Sequence, residues 1–163
     1  MGVKYNNIER IIQKLMESNY TISFMESCSG GSLASAFTNV KGCSNVLKFS
    51  AVTYSSEAKI MLGVNPKTIE KDTVYSTSVA KEMAKSITKY ANSQFGVGIT
   101  GNLNLFCNDG AKGGEVYISI YNTLNKQFTT KIINVKSEDR QKAKEAIINF
   151  ICLDLMKILE IEA

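Results

Sequence analysis

Near its start the chain reads Tyr20-Thr21-Ile22-Ser23-Phe24-Met25-Glu26-Ser27-Cys28-Ser29-Gly30-Gly31-Ser32-Leu33-Ala34. Residues 20–25 alternate well enough for a strand, and Leu33, Ala34, Phe37 and Val40 follow at helical spacing. The segment between them holds two adjacent glycines, so a strand enters a tight turn and a helix leaves it. Unpaired N–H groups and the helix dipole at such a junction suit a phosphate or a developing oxyanion. The plainer reading is a serine cap with glycines for the turn, and S-x-G-G alone does not decide between them.

The rest of the chain extends this unit. Ile8, Ile11, Ile12, Leu15 and Met16 predict an amphipathic first helix that ends at Asn19. After a connecting segment over 41–49 with a short helix, residues 50–54 read as a buried strand. Ser55 then caps a short helix ending at Gly63, and Pro66 opens another. Ser76 or Ser78 caps a longer helix whose apolar face carries Val79, Met83, Ala84, Ile87 and Tyr90. A third strand spans 95–99, and 115–121 and 127–135 form a β-hairpin. Ser137 is expected to cap the last helix, striped with Ile147, Ile148, Ile151, Leu155, Ile158 and Leu159. These elements predict one α/β domain over residues 1–163, three-layer α/β/α, with a mixed, partly parallel sheet ending in an antiparallel hairpin.

Composition narrows the chemistry. The 163 residues include no histidine and no tryptophan, and the apolar (44%) and charged (21%) fractions are those of an ordinary globular chain. Without histidine, imidazole acid/base work, Ser-His-Asp and Cys-His nucleophiles and His-containing zinc sites are excluded. Cys28, Cys43, Cys107 and Cys152 have no metal-like spacing, so no metal is expected. The net charge of +4 comes mostly from lysines scattered among acids, which does not suggest a nucleic-acid partner. No apolar run reaches the ~18–20 residues that cross a bilayer, and the N-terminus lacks a signal-peptide core. A cytoplasmic protein with reduced thiols and no membrane partner is expected.

Four segments bear chemistry: the turn after Glu26; Tyr54 to Lys59; Thr100 at the end of an apolar strand; and Arg140 at the start of the last helix. Lys59 lies one turn into a helix that follows a strand. If it folds back to the sheet end and is desolvated, its neutral amine is a base; otherwise it is an exposed helix lysine. Strand ends are where ligands gather in α/β sheets. An arginine in a first helical turn opposes the dipole, which argues for use elsewhere. With histidine excluded, serine plus lysine is the remaining familiar way to activate a hydroxyl.

These runs together, MESCSGG (25–31), VKGCSNV (40–46), AVTYSSEAKIMLGV (51–64), GITG (98–101) and the late Arg140, resemble the CinA C-terminal domain family, the nicotinamide-nucleotide amidohydrolases. The family pattern runs E-S-C-T-G-G, P-G-S-S, V-x-Y-S-N-x-x-K and S-I-T-G-x-A-G-P, and the match covers nearly the whole chain. The resemblance implies hydrolysis of the carboxamide of nicotinamide mononucleotide to nicotinate mononucleotide and ammonia, without metal or organic cofactor. It implies Ser27 as nucleophile, Lys59 as general base and Tyr54 as a hydrogen-bonding partner of the pair or the substrate. Thr100 and Arg140 would bind substrate, and Ser29, Gly30 and Gly31 would line it, the glycines offering N–H groups. Ser44 is the alternative nucleophile or oxyanion donor. Here Ser29 stands for the usual threonine, Lys41 and Cys43 for the proline and first serine of P-G-S-S, and Ser56 for asparagine. Residues 102–110 stand where the family has an A-G-P loop. The implied partner is a small-molecule nucleotide, and a homodimer is expected. The rival is a nucleotide-binding sensor or a competence- or damage-associated partner module.

Overall fold

A computed structural model describes residues 2–105 and 113–162. Helix α1 (Tyr5–Glu17) buries Ile8, Ile11, Ile12 and Leu15, and Asn19 ends it in the left-handed conformation. There follow β1 (Ile22–Glu26), α2 (Ser32–Thr38), a 3-10 turn (Cys43–Asn45), β2 (Leu47–Val52), α3 (Ser56–Met61) and α4 (Pro66–Asp72). The chain continues through α5 (Thr77–Ala91), β3 (Phe95–Gly101), β4 (Glu115–Asn122), β5 (Gln127–Asn134) and α6 (Arg140–Ile158).

One sheet of five strands runs β2-β1-β3-β4-β5. β1 is parallel to both β2 and β3, while β3, β4 and β5 are successively antiparallel. Every residue of β1 is buried, as expected of a strand covered on both faces. Ile22, Phe24, Phe95, Val97, Ile99, Val116, Ile118 and Ile120 share one face and pack under α1, α2 and α6. Met25 faces the other layer, where Val79, Met83 and Ile87 of α5 and Val64 complete a smaller core.

Gly96 and Gly98 let α5 approach the sheet closely. A Cβ at either would lie 2.3 Å from a carbonyl oxygen of α5, Ala84 O and Ala80 O respectively. The α5 backbone therefore rests directly on β3. This brings the chain leading into α5 down over Thr100, at the same sheet end as Ser27.

Two expectations need correction. The strand expected at 50–54 spans Leu47–Val52 and is the edge of the sheet, half-buried rather than buried, with Val52 exposed. Lys48 and Ser50 interrupt its apolar residues, as suits an edge, and among the described residues no strand pairs on its outer side. The cap of α6 is Asp139, whose carboxylate accepts from Gln141 N and Lys142 N; the Ser137 hydroxyl instead donates to the Asp139 carbonyl. A carboxylate at this position also complements the helix dipole.

Candidate active site

The turn between β1 and α2 is built around a buried carboxylate. Glu26 ends β1 on the α2 face and is fully inaccessible. Its Oε2 accepts from the Ser29 hydroxyl (2.6 Å), Gly31 N (3.2 Å) and Leu33 N (3.1 Å), and its Oε1 from Ala34 N (2.9 Å). The first turn of α2 thus already holds an anion, supplied by the strand before it. Gly30 and Gly31 both have positive φ (61° and 92°), which lets the chain wrap around that carboxylate. Glu26 was not singled out for a role from sequence, although a Glu three residues before Ser29 and five before Gly31 is the available signal.

This arrangement removes three expected ligand contacts. Gly31 N is taken by Glu26, and Gly30 N donates to the Ser27 carbonyl (2.9 Å). The Ser29 hydroxyl is buried against Glu26 rather than offered to a ligand. In this turn the main-chain N–H groups of Cys28 and Ser29, next to Ser27, donate to no main-chain carbonyl among the described residues, and that of Cys28 lies against its own sulfur.

Ser27 lies one residue past β1, on the face opposite Glu26, with its N–H donating to Ile99 O (2.9 Å). Its Oγ is 3.0 Å from Lys59 Nζ. Lys59 reaches it because Ser55 caps α3 by accepting from Ala58 N, which fixes the helix start just beyond β2. The lysine is only 1% exposed and also donates to the Thr53 carbonyl (2.7 Å). No carboxylate lies within ion-pair distance of it among the described residues. Burial holds its pKa below the usual 10.5, against a smaller opposing effect from the Cys28 sulfur. The adjacent Cys28 thiol is pushed up to about 12, chiefly by burial, so it is protonated at neutral pH and a poor nucleophile.

Above this pair opens a cleft of about 140 Å³ whose walls include Tyr54, Tyr75, Thr100, Asn102 and Arg140. The Thr100 hydroxyl donates to Val74 O (2.7 Å), so it ties down the connection between α4 and α5 as well as lining the cleft. Arg140 is exposed and makes no hydrogen bond or ion pair among the described residues, as suits a cation kept for a ligand. Tyr54 is on the wall but 67% exposed, and its hydroxyl does not reach Ser27 or Lys59. Among the described residues, none of the walls is acidic, and no group of three or more Cys, Asp or Glu is placed to hold a metal ion.

Ser44 is not in this cleft. It is exposed in the 3-10 turn before β2, beside Leu47, which pairs with Ile22 at the opposite end of β1. Ser27 and Ser44 are separated by the length of the strand, roughly 15 Å. Of the loop at 102–110, residues 106–110 lie outside the described residues, while Asn102 and Leu103 line the cleft. Val74 and Tyr75, in the connection between α4 and α5, also line it, and no motif in the sequence marks them.

Residues 5–159 match the family model of the CinA C-terminal domain. A relative from Alkaliphilus metalliredigens, described as competence-damage inducible, is 38% identical over 162 residues, covering 92% of this chain and 37% of its own. The CinA-like protein of Flavobacterium psychrophilum is 42% identical over 116 residues, 69% of this chain and 28% of the relative. The chain thus spans about a third of the length of these relatives. Among solved structures, the competence or damage-inducible protein of Enterobacter asburiae superposes with a TM-score of 0.89 at 26% identity, covering 98% of this chain and 99% of that one. The competence/damage inducible protein CihA of Agrobacterium tumefaciens gives 0.87 at 25% identity, covering 96% and 94%.

Proposed function

The chain belongs to the CinA C-terminal domain family, and from that premise we propose that it hydrolyses the carboxamide of nicotinamide mononucleotide to nicotinate mononucleotide and ammonia. The observation that carries this reading is the buried amine of Lys59, 3.0 Å from the Ser27 hydroxyl and without a carboxylate partner among the described residues. An amine with a lowered pKa, placed against a hydroxyl, is a general base.

The Thr53 carbonyl takes one N–H of the neutral amine, and its lone pair accepts the Ser27 proton. Ser27 Oγ attacks the carboxamide carbon as Lys59 takes that proton. The negative oxygen is stabilised by the N–H groups of Cys28 and Ser29, not by the N-terminus of α2, which Glu26 occupies. Lys59 then gives the proton to the leaving nitrogen, the C–N bond breaks and ammonia departs. Water attacks the resulting ester while Lys59 again takes a proton. The C–Oγ bond breaks, and the proton returns to Ser27.

The cleft supports a substrate with one six-membered ring at its reacting end, since a cavity of roughly 150 Å³ accommodates benzene. The ribose and phosphate would extend past the rim, where Arg140 offers its fork to the phosphate. The test is ammonia release from nicotinamide mononucleotide by the wild type, Ser27→Ala and Lys59→Ala. Both substitutions are expected to abolish release, and an active Ser27→Ala protein would remove the nucleophile.

A further inference from the structure

Between α4 and α5 the chain crosses the cleft in a short strap, residues 73–76. Thr73 sits there at φ 61° and ψ 171°. That region is essentially glycine's own, and a β-branched residue is the least suited to it. Three hydrogen bonds hold it there: its N–H donates to Ile69 O (3.0 Å), its carbonyl accepts from the Ser76 hydroxyl (2.9 Å), and its own Oγ1 accepts from Tyr75 N (3.2 Å). Thr100 pins the middle of the strap through the Val74 carbonyl. Glycine would keep the first two bonds without strain. Only the third needs the threonine side chain, and its donor is the amide of Tyr75, whose residue is part of the cleft wall.

We propose that Thr73 is a positioning residue which, through that bond, sets Tyr75 as the specificity-determining wall for a cationic N-substituted pyridinium ring. This rests on the amidase reading of the same cleft. The described walls carry two aromatic rings, Tyr54 and Tyr75, and no carboxylate. A pyridinium cation entering such a cleft meets no acidic group there, so its charge is recognised by the electron-rich ring faces. Arg140, at the rim, favours the anionic end of the same zwitterionic molecule and disfavours the ring, which fixes the direction of entry. The strap thereby separates ring-quaternised nucleotides from neutral carboxamides of the same shape.

The experiment compares binding of the 1-methylnicotinamide cation and of neutral nicotinamide, by ligand-observed NMR titration of the whole chain. This needs no turnover. The wild type is expected to prefer the cation by about 10-fold. Thr73→Gly and Tyr75→Leu are expected to lose that preference, while Thr73→Ser and Tyr75→Phe, which retain the hydroxyl and the ring, keep it. Thr73→Gly is also expected to melt at a higher temperature than the wild type, so lost selectivity in that variant is not loss of fold. Equal binding of the two probes by the wild type, or an undiminished preference in Thr73→Gly, overturns the proposal. A cation preference without ammonia release from nicotinamide mononucleotide would instead overturn the amidase reading and leave the strap's role standing.

Discussion

Lys59 Nζ donates to the Thr53 carbonyl at 2.7 Å, a bond that spans the junction between β2 and α3. It orients the amine: with one N–H committed to the main chain, the rest of the nitrogen is turned toward Ser27, 3.0 Å away. The amine is therefore held in place beside Ser27, as the proposed base must be, and is not a mobile side chain. Its burial lowers its pKa, and this has consequences for both rate and stability.

For the rate, kcat/KM is expected to rise with pH along a limb that lies below 10.5, because only the neutral amine accepts the Ser27 proton. Lys59→Met should lower kcat by about 10³-fold. For stability, the folded-state pKa is below the unfolded one, so the unfolded chain binds more protons between the two values. Stability therefore rises with pH across that window, and is lost as pH falls through the folded pKa. The stability difference between the wild type and Lys59→Met, followed by urea unfolding between pH 7 and 10, should carry this slope, since the subtraction removes the opposing fall above pH 9 that the buried Cys28 and Cys152 thiols impose on both.

Glu26→Ala removes the acceptor of four donors in one turn. Loss of a buried acceptor of this kind is expected to cost about 3 kcal/mol. Glu26→Gln should fall between the two, since its amide keeps one oxygen and presents a donor to neighbours that are themselves donors. Chemical denaturation measures the loss, and kcat should fall more than KM rises, because Ser27 and the Cys28 N–H move with the turn.

Gly98→Ala tests how α5 is seated. The added Cβ meets Ala80 O at 2.3 Å and Ala84 N at 2.7 Å, both main-chain atoms that no rotamer change can move. Destabilisation of about 3 kcal/mol is expected. Activity in the folded fraction should fall too, because the strap over Thr100 is carried by α5.

Arg140→Gln is expected to raise KM for nicotinamide mononucleotide by about 10-fold with kcat little changed. The corresponding nucleoside, which lacks the phosphate, should show no such dependence on residue 140. Steady-state kinetics on the two substrates decides this. An equal effect on both would place Arg140 at the ring rather than at the phosphate.

Much of this site is local in sequence, which is why it was legible. A strand, two glycines and a helix follow one another within residues 20–40, and Lys59 stands four residues after the serine that caps α3. Neither feature needs a distant partner to be recognised. Ser44 is the counter-example: its motif lies close to Ser27 in sequence, yet α2 carries the chain back to the other end of the sheet. The edge position of β2 was equally hidden, because a strand's own residues do not say which of its sides lacks a neighbour. The strain at Thr73 was not legible at all. It arises from four tethers, to Ile69, Tyr75, Ser76 and, through Val74, Thr100, that exist only once α4, α5 and β3 are assembled.

The carboxylate of Glu26 has one more consequence. A helix that binds a mobile anion exchanges it with the ions of the medium, and its electric field is weakened as salt is added. Here the counter-ion is part of the chain and shut away from solvent, so dissolved ions can neither replace it nor crowd around it. The reacting centre and the rim should consequently differ in their response to salt. Raising the ionic strength should weaken the grip of the exposed Arg140 on a phosphate, while the field in which Ser27 reacts stays as it was.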